Sequence, residues 1–299
     1  MTFIKVFHNP TAGEAEHTKE TLVDEIKSAG FDCSYSSTKK SITEKSIPAE
    51  TDFIAVAGGD GSVRRLAEYF CNEPVITKRH PIGLLPMGTA NNIAMTLGIS
   101  GTSKEIIESW KQGKTQKFDV GKVHGLQKNH FFLEACGFGV FPRLIKRMRN
   151  EKIEGEIPNP ERELQLALSR LHEIVLEYKP KECRLIIDGV EYNGKYILVE
   201  IMNIKSIGPN LNISPMGSFG DGEFDVILVS EAQREQLANY VLDRLLHGKE
   251  RPFFYTALKA KKIEVTWAGK LMHVDDELVD VSDKRIEVDV LREILSFLV

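Results

Sequence analysis

The sequence predicts an α/β protein in two domains, a parallel sheet covered by helices followed by a β-sandwich-like second domain. Three observations predict it. Strand and helix signals alternate over the first 120 or so residues, and from about Phe118 the pattern changes to paired strands. The third is that 299 residues, 42% hydrophobic and 27% charged, suffice for two packed cores.

In chain order, FIKVFH (3–8) is a short strand run, and residues 15–29 have helical spacing with Leu22, Val23 and Ile26 apolar. FDCSYSS (31–37) alternates as a strand does. FIAVAGG (53–59) is a strand running into glycines, followed by a helix with Val63, Leu66, Ala67 and Phe70 on one face. PIGLLP (81–86) is a buried strand, and TANNIAMTL (89–97) reads as a helix. In parallel sheets ligands bind at the carboxyl ends of strands, and the glycine-rich segments here fall at that edge. In the second part FDVGKV, HFFLEACGFGV, ECRLIID, VEYNGKYILVEIMN, EFDVILV, KKIEVTW and RIEVDVL read as strands. Helical segments near 161–176 and 234–246 interrupt them, and EKIEGEIPNP (151–160) reads as a mobile loop.

Several function classes are disfavoured. With 39 Lys and Arg against 43 Asp and Glu the net charge is −4, the wrong sign for nucleic acid bound through the overall field. No apolar run approaches a membrane span, and the first residues lack a basic segment leading into an apolar one. The four cysteines (Cys33, Cys71, Cys136, Cys183) are scattered, so free thiols in a cytoplasmic protein are expected. GVEYNGK (189–195) approaches a P-loop, but Tyr196 stands where the metal-binding hydroxyl belongs, and Asn193–Gly194 reads as a hairpin turn. His172–Glu173 begins a zinc motif that Leu176 breaks.

Three segments carry chemistry. Gly58, Gly59, Asp60, Gly61 and Ser62 sit between a strand and a helix, where bare backbone and unpaired helix N–H groups suit phosphate. Asp60 there is a metal ligand, a proton acceptor or a helix cap. Leu85-Pro86-Met87-Gly88-Thr89-Ala90-Asn91-Asn92 and Asn9-Pro10-Thr11-Ala12-Gly13 are two more polar, glycine-containing strand ends. Together they suggest a phosphate-rich ligand such as a nucleotide.

NPTAG, GGDGS and PMGTANN, in this order, resemble the diacylglycerol kinase catalytic family, which includes bacterial diacylglycerol kinases and sphingosine kinase-like lipid kinases. Phe118-Asp119-Val120-Gly121, NISPMGSFGDGEFDV (212–226) and VDDEL (274–278) extend the likeness along the chain. The resemblance implies an α/β nucleotide-binding domain at 1–122, to which residues 290–299 return, and a β-sandwich domain at 123–289. It implies ATP- and Mg²⁺-dependent phosphorylation of a hydroxyl of diacylglycerol or a related lipid in the cleft between them. Carried over, Asn9, Pro10, Thr11, Ala12, Gly13, Thr38, Gly59, Asp60, Gly61, Ser62, Gly88 and Thr89 contact the nucleotide. Asp60 and Asp119 belong to a Mg²⁺ and water network, and Asp275 and Glu277 activate the lipid hydroxyl. Asp221, with the carbonyls of Ser218 and Glu223, forms a separate structural metal site. Expected partners are a lipid at a membrane surface, met transiently, and a second copy of the chain; nucleic acid is not among them.

The chain departs from the family pattern at four positions. Arg64 and Arg65 replace an expected amide and carboxylate pair, Asn92 replaces an aspartate, and Asp276 replaces a turn glycine. Two other readings therefore stand beside the lipid kinase: a non-catalytic nucleotide- or lipid-binding relative, and an NAD kinase-like enzyme with a soluble substrate.

Overall fold

The structure, a computed structural model, describes residues 1–12, 18–38, 42–72, 79–128, 130–151, 159–249, 251–282 and 284–299. Gly13 of the expected nucleotide set and 152–158 of the expected mobile loop lie outside the described residues. The chain divides into two compact units, Met1–Asp119 with Arg292–Val299, and Val120–Leu291.

In the first unit the elements run β1 (Phe3–His8), α1 (Lys19–Ser28), β2 (Asp32–Ser37), β3 (Phe53–Gly58), α2 (Asp60–Asn72), β4 (Ile82–Pro86), α3 (Asn92–Thr96) and α4 (Ser103–Ser109). β5 (Thr115–His124) leads out of the unit. The strands are parallel in the order β2-β1-β3-β4, and the end of the chain's last strand adds beside β4 with Phe297 opposite Ile82. β3 is buried along its whole length, as a central parallel strand covered on both faces must be. α2 turns Val63, Leu66, Ala67 and Phe70 inward, the face its spacing predicts. Thr102 and Glu105 close a capping box on α4, a helix the sequence reading misses. The helix expected at 89–97 shrinks to five residues because Asn91 before it is left-handed, with φ 53°.

The second unit continues with β6 (His130–Phe132), β7 (Ala135–Gly139), α5 (Val140–Glu151), α6 (Pro160–Glu177), β8 (Lys181–Ile187) and β9 (Val190–Met202). The short pair β10 (Ser206–Ile207) and β11 (Leu211–Asn212) is followed by β12 (Phe224–Ser230), α7 (Arg234–His247) and β13 (Thr256–Ala260). β14 (Lys262–Trp267), β15 (Leu271–Val274), β16 (Glu277–Asp280) and β17 (Arg285–Leu298) complete it. The path is β16-β15-β7-β9-β8-β14-β17, with β12 and then β13 on the other side of β9. The first half of β9 pairs with β8, and its second half lies between β7 and β12. That second half, Ile197–Met202, is buried on both faces. Val199 and Ile201 enter a sandwich core with Phe138, Val265 and Trp267, while Ile197, Leu198 and Met202 pack under α5, α6 and α7.

Two sequence expectations fail here. Asn193–Gly194 lies inside β9, and the β8–β9 turn is Asp188–Gly189, with φ of 46° and 86°. Both central residues being left-handed is what a two-residue hairpin of type I′ requires, and Asp-Gly meets it as Asn-Gly does. The strand expected across HFFLEACGFGV breaks at Leu133–Glu134 and ends in a helix, because Gly139 at φ 102° turns the chain into α5.

Candidate active site

The parallel sheet places the first set of residues. β1 has β2 on one side and β3 on the other, so the connection reverses between β1 and β3, the place where open α/β sheets bind ligands at their carboxyl ends. Asn9 follows β1 there, with its N–H on the Ala57 carbonyl at 2.8 Å. Its Oδ1 accepts from Thr11 N and Oγ1, and Ala12 N closes onto its carbonyl, making a compact turn of 9–12 with Pro10 inside it. Gly58, the first residue of the motif, has no room for a side chain, since a Cβ would lie 2.5 Å from Ser62 Oγ and 3.3 Å from Asn9 Cβ.

Gly59 and Gly88 press backbone against backbone. A Cβ on Gly88 would stand 2.6 Å from Gly59 Cα, and one on Gly59 would stand 3.0 Å from Gly88 Cα. Asn91 fixes the second loop by accepting from Gly88 N at 2.8 Å and donating to Gly88 O at 2.7 Å. Gly88→Ala is accordingly expected to lower stability by about 1–3 kcal/mol, the usual cost of overpacking, read as a fall in Tm. Gly61 is the opposite case, with open space where its Cβ would be. Thr89 is half-buried in the same loop.

Asp60 is the first residue of α2, yet its carboxylate caps a different helix. Oδ2 accepts from Asn92 N and Oδ1 from Ile93 N, each at 3.0 Å, so it holds the start of α3. Asp119 is fully buried, and its Oδ1 accepts from Glu293 N at 2.7 Å. Thr38, at the end of β2, donates its N–H to His8 O and accepts from Arg65 Nη1 on its carbonyl. Its buried Oγ1 has no hydrogen-bond partner among the described residues. Arg65 is thus tied to β2, and Arg64, half-buried, lies 3.7 Å from Glu68.

These residues fit a phosphate-bearing ligand better than a metal on its own. Bare glycine backbone, a helix start and the Thr38 hydroxyl offer donors, whereas the described residues contain no group of three or more His, Cys, Asp or Glu able to hold an ion. At Asp221 the fit is worse. Lys259 Nζ stands 3.0 Å from Asp221 Oδ2 and 3.2 Å from Asp225 Oδ1, where a cation would go. Asp221 Oδ1 accepts from Glu223 N, and Ser214 Oγ reaches Asp225 Oδ2 at 2.5 Å. Burial works against the Lys259 ammonium, but the hydrogen bond to Asp221 and the charge of Asp225 outweigh it and raise its pKa. Of the two residues whose carbonyls are expected to join Asp221 at a structural metal, Ser218 is exposed and Glu223 is half-buried. Lys259→Met is expected to cost about 1–3 kcal/mol, between exposed and buried pairs. Millimolar Mg²⁺ should restore part of that loss in Tm and leave the wild-type protein unmoved.

The second set lies in the β15–β16 hairpin. Asp275, not Asp276, is the left-handed residue, with φ 51°, so the aspartate that replaces a turn glycine sits in ordinary backbone. Asp275 Oδ1 accepts from Glu134 N at 2.9 Å and Ala135 N at 3.3 Å, and Leu133 N is shared between Oδ2 at 3.1 Å and Oδ1 at 3.2 Å. Its own N–H goes to Ala135 O. The break between β6 and β7 therefore exists to present three amides to one carboxylate. Asp276 O accepts from Arg149 Nη2 at 2.6 Å. Glu277 lies 3.5 Å from His130 Nδ1 and 3.7 Å from Lys128 Nζ, so the structure brings it beside an imidazole and an ammonium instead of beside the Asp275 carboxylate's amides.

Behind Asp275 is a pair the sequence reading misses. Glu200 and His273, both buried, meet at 2.8 Å between Oε2 and Nε2, and His273 Nδ1 reaches Asp275 O at 2.8 Å. Burial pushes the Glu200 carboxyl up. It pulls His273 down, but the Glu200 charge and hydrogen bond outweigh it and leave His273 raised. A lone glutamate in the apolar run YILVEIM was the available signal.

The chain matches known proteins over both units. Residues 4–123 match the family model described as the diacylglycerol kinase catalytic domain, and residues 148–292 match the YegS C-terminal NAD kinase beta sandwich-like domain. A diacylglycerol kinase of Bacillus subtilis is 23% identical over 296 residues, 93% of this chain and 90% of that protein. One of Staphylococcus epidermidis is 24% identical over 287 residues, 91% and 85%. A crystal structure of a diacylglycerol kinase from Bacillus anthracis superposes with a TM-score of 0.71 at 18% identity, covering 99% of this chain and 96% of that one. An NAD kinase from Archaeoglobus fulgidus in complex with ATP shares the fold at a TM-score of 0.52 and 14% identity, covering 100% and 94%. Set end to end, the two matched segments account for most of the sequence, and the chain carries a diacylglycerol kinase catalytic domain followed by a YegS C-terminal NAD kinase beta sandwich-like domain.

Proposed function

We propose that this protein is an ATP-dependent lipid kinase that transfers phosphate to a hydroxyl of diacylglycerol or a related lipid. The observation that carries the reading is the apposition of Gly59 and Gly88 at the switch point of a parallel sheet. It leaves the end of β3 as bare backbone beside the start of α2, the environment in which phosphate oxygens find N–H donors, whereas Gly88 N is on Asn91 and the α3 start is on Asp60. Asn9, Thr11, Thr38, Ser62 and Thr89 supply hydroxyl and amide groups in the same unit. Mg²⁺ enters this reading with the ATP phosphates, since such ions use one or two carboxylates and keep much of their shell on water and substrate. Asp60 and Asp119 are the carboxylates assigned to it; when bound, the ion neutralises phosphate charge.

For the hydroxyl proton we assign Asp275, fixed by three amides, with Glu277 as the second carboxylate of the hairpin. A fixed acceptor contributes through position as well as basicity. No helix among the described residues is long and apolar enough to cross a membrane, so lipid is met at a surface in this proposal. The chemistry is tested by phosphate transfer from labelled ATP to diacylglycerol, sphingoid bases, phosphatidylglycerol and NAD. Labelled lipid and unlabelled NAD are expected. Labelled NAD alone would move the protein to the soluble-substrate reading that the NAD kinase fold favours. No transfer to any acceptor, with ATP still raising Tm, would make it a nucleotide-binding relative.

Saturating ATP with Mg²⁺ should itself raise Tm, by about 2.7 kcal/mol of added stability at a hundredfold excess over Kd. Thermal shift measures this directly, and an unchanged Tm removes the nucleotide from the proposal.

A further inference from the structure

The buried Glu200–His273 pair spans three strands. In register, His273 of β15 is opposite Gly137 of β7, and Gly137 is opposite Glu200 of β9. Two side chains that far apart in the sheet meet only if the strand between them presents nothing. Gly137 does present nothing, and a Cβ there would collide with the Glu200 carboxylate and the Val199 carbonyl. Neighbours fix the face. Cys136 and Phe138 beside Gly137, and Met272 and Val274 beside His273, enter the sandwich core. The clasp therefore lies on the other face, where Phe141 of α5 sets its ring 6.2 Å from His273.

The hydrogen-bond inventory settles the inner proton. A carbonyl only accepts, so Nδ1 of His273 carries a hydrogen and donates it to Asp275 O. The 2.8 Å contact on the far side then holds one proton shared between Nε2 and Glu200 Oε2. Every strong bonding group at Asp275 is thereby engaged, its N–H on Ala135 O, its carboxylate on the 133–135 amides and its carbonyl on His273. The carbonyl is the one that matters for shape. At φ 51° an aspartate sits in a region sparsely used by residues with a side chain, and such a backbone persists where its surroundings over-determine it.

We propose that Glu200 and His273 are positioning residues, clasped over Gly137 so that His273 holds the left-handed backbone of Asp275 and aims its carboxylate. The catalytic consequence rests on the lipid-kinase reading; the positioning does not. The burial is offset only in part: Oε2 of Glu200 meets His273 and His273 meets the Asp275 carbonyl, while Glu200 Oε1 has no hydrogen-bond partner among the described residues.

The test compares His273→Leu with His273→Asn, whose Nδ2 stands near the place of Nδ1 and can donate to Asp275 O while losing Glu200. Two readouts are taken on the full chain, the backbone amide shifts of Leu133, Glu134 and Ala135 without ligand, and kcat against KM for phosphate transfer. In His273→Leu the three amides should move, and kcat should fall about tenfold to 100-fold with KM for ATP nearly unchanged. His273→Asn should recover a good part of both. If Leu leaves the amide shifts in place, or if Asn behaves like Leu, the positioning role is wrong. Should His273→Leu fail to fold, His273→Phe, closer in shape and likewise without a donor, carries the test by the same criteria. If the wild-type protein transfers no phosphate, the kinase reading falls and the amide shifts alone decide the clasp.

Discussion

Asp275→Asn is expected to lower kcat for phosphate transfer by about 100-fold or more, the lower range for loss of a general base. The same change should also lower Tm, which geometry requires. Oδ1 accepts from Glu134 N, Ala135 N and, at 3.2 Å, Leu133 N, so an asparagine keeping its oxygen there retains an acceptor for all three. Its NH₂ then stands where Oδ2 also accepts from Leu133 N at 3.1 Å, donor against donor. Losing that shared half of one hydrogen bond costs about 1 kcal/mol. Asp275→Ala leaves all three N–H donors without this acceptor and should melt lower still. Glu277→Gln touches none of these amides and should leave Tm nearly unchanged, so a comparable loss of kcat there would assign the proton transfer to both carboxylates. Full activity in Asp275→Asn would remove it from the chemistry and leave it a structural clamp.

Asp60→Ala is expected to have the second large effect, and on folding first. It strands Asn92 N and Ile93 N at the start of α3, for a loss of roughly 2–4 kcal/mol by the cost of unsatisfied donors. A simple N-cap exchange to asparagine is tolerated well elsewhere. Here both oxygens accept, so Asp60→Asn turns an amide group against one of the two N–H donors and should cost about 1–2 kcal/mol. Turnover in either variant therefore has to be read beside Tm and at a temperature where both remain folded. A carboxylate that is only a clamp predicts activity that returns with stabilising ATP. A carboxylate in the phosphate chemistry predicts inactivity in a fully folded Asp60→Asn.

Much of the first unit could be read in the sequence because strand and helix alternate there at short range. FIAVAGG and PIGLLP are buried strands, and the glycines fall at their carboxyl ends as the pattern requires. What escaped was the partner of Asp60. A carboxylate at a helix start suggests its own helix, and only the tertiary fold brings the amides of residues 92 and 93 to it. In the second unit the strands were visible but the Leu133–Glu134 break was not, since HFFLEACGFGV is apolar on either side of it. Its cause, Asp275, lies about 140 residues away in the chain. Asn193–Gly194 failed for the reverse reason. The dipeptide is a strong turn former, and Asp188–Gly189 a few residues earlier matched the hairpin register between β8 and β9.

The last strand has a consequence for the order in which the protein is made. Residues 292–299 belong to the first unit, where Phe297 pairs beside Ile82 and packs its ring 5.3 Å from Phe118. A ribosome delivers them only after the whole second unit has been translated. The nascent first unit thus waits with one flank of β4 unpaired, an exposed edge of the kind that recruits other strands. The second unit, continuous in sequence, is free to fold during that wait. Chaperone dependence in expression should accordingly track the delay before the chain's last residues emerge, and slowing translation across the second unit should lower the yield of folded protein.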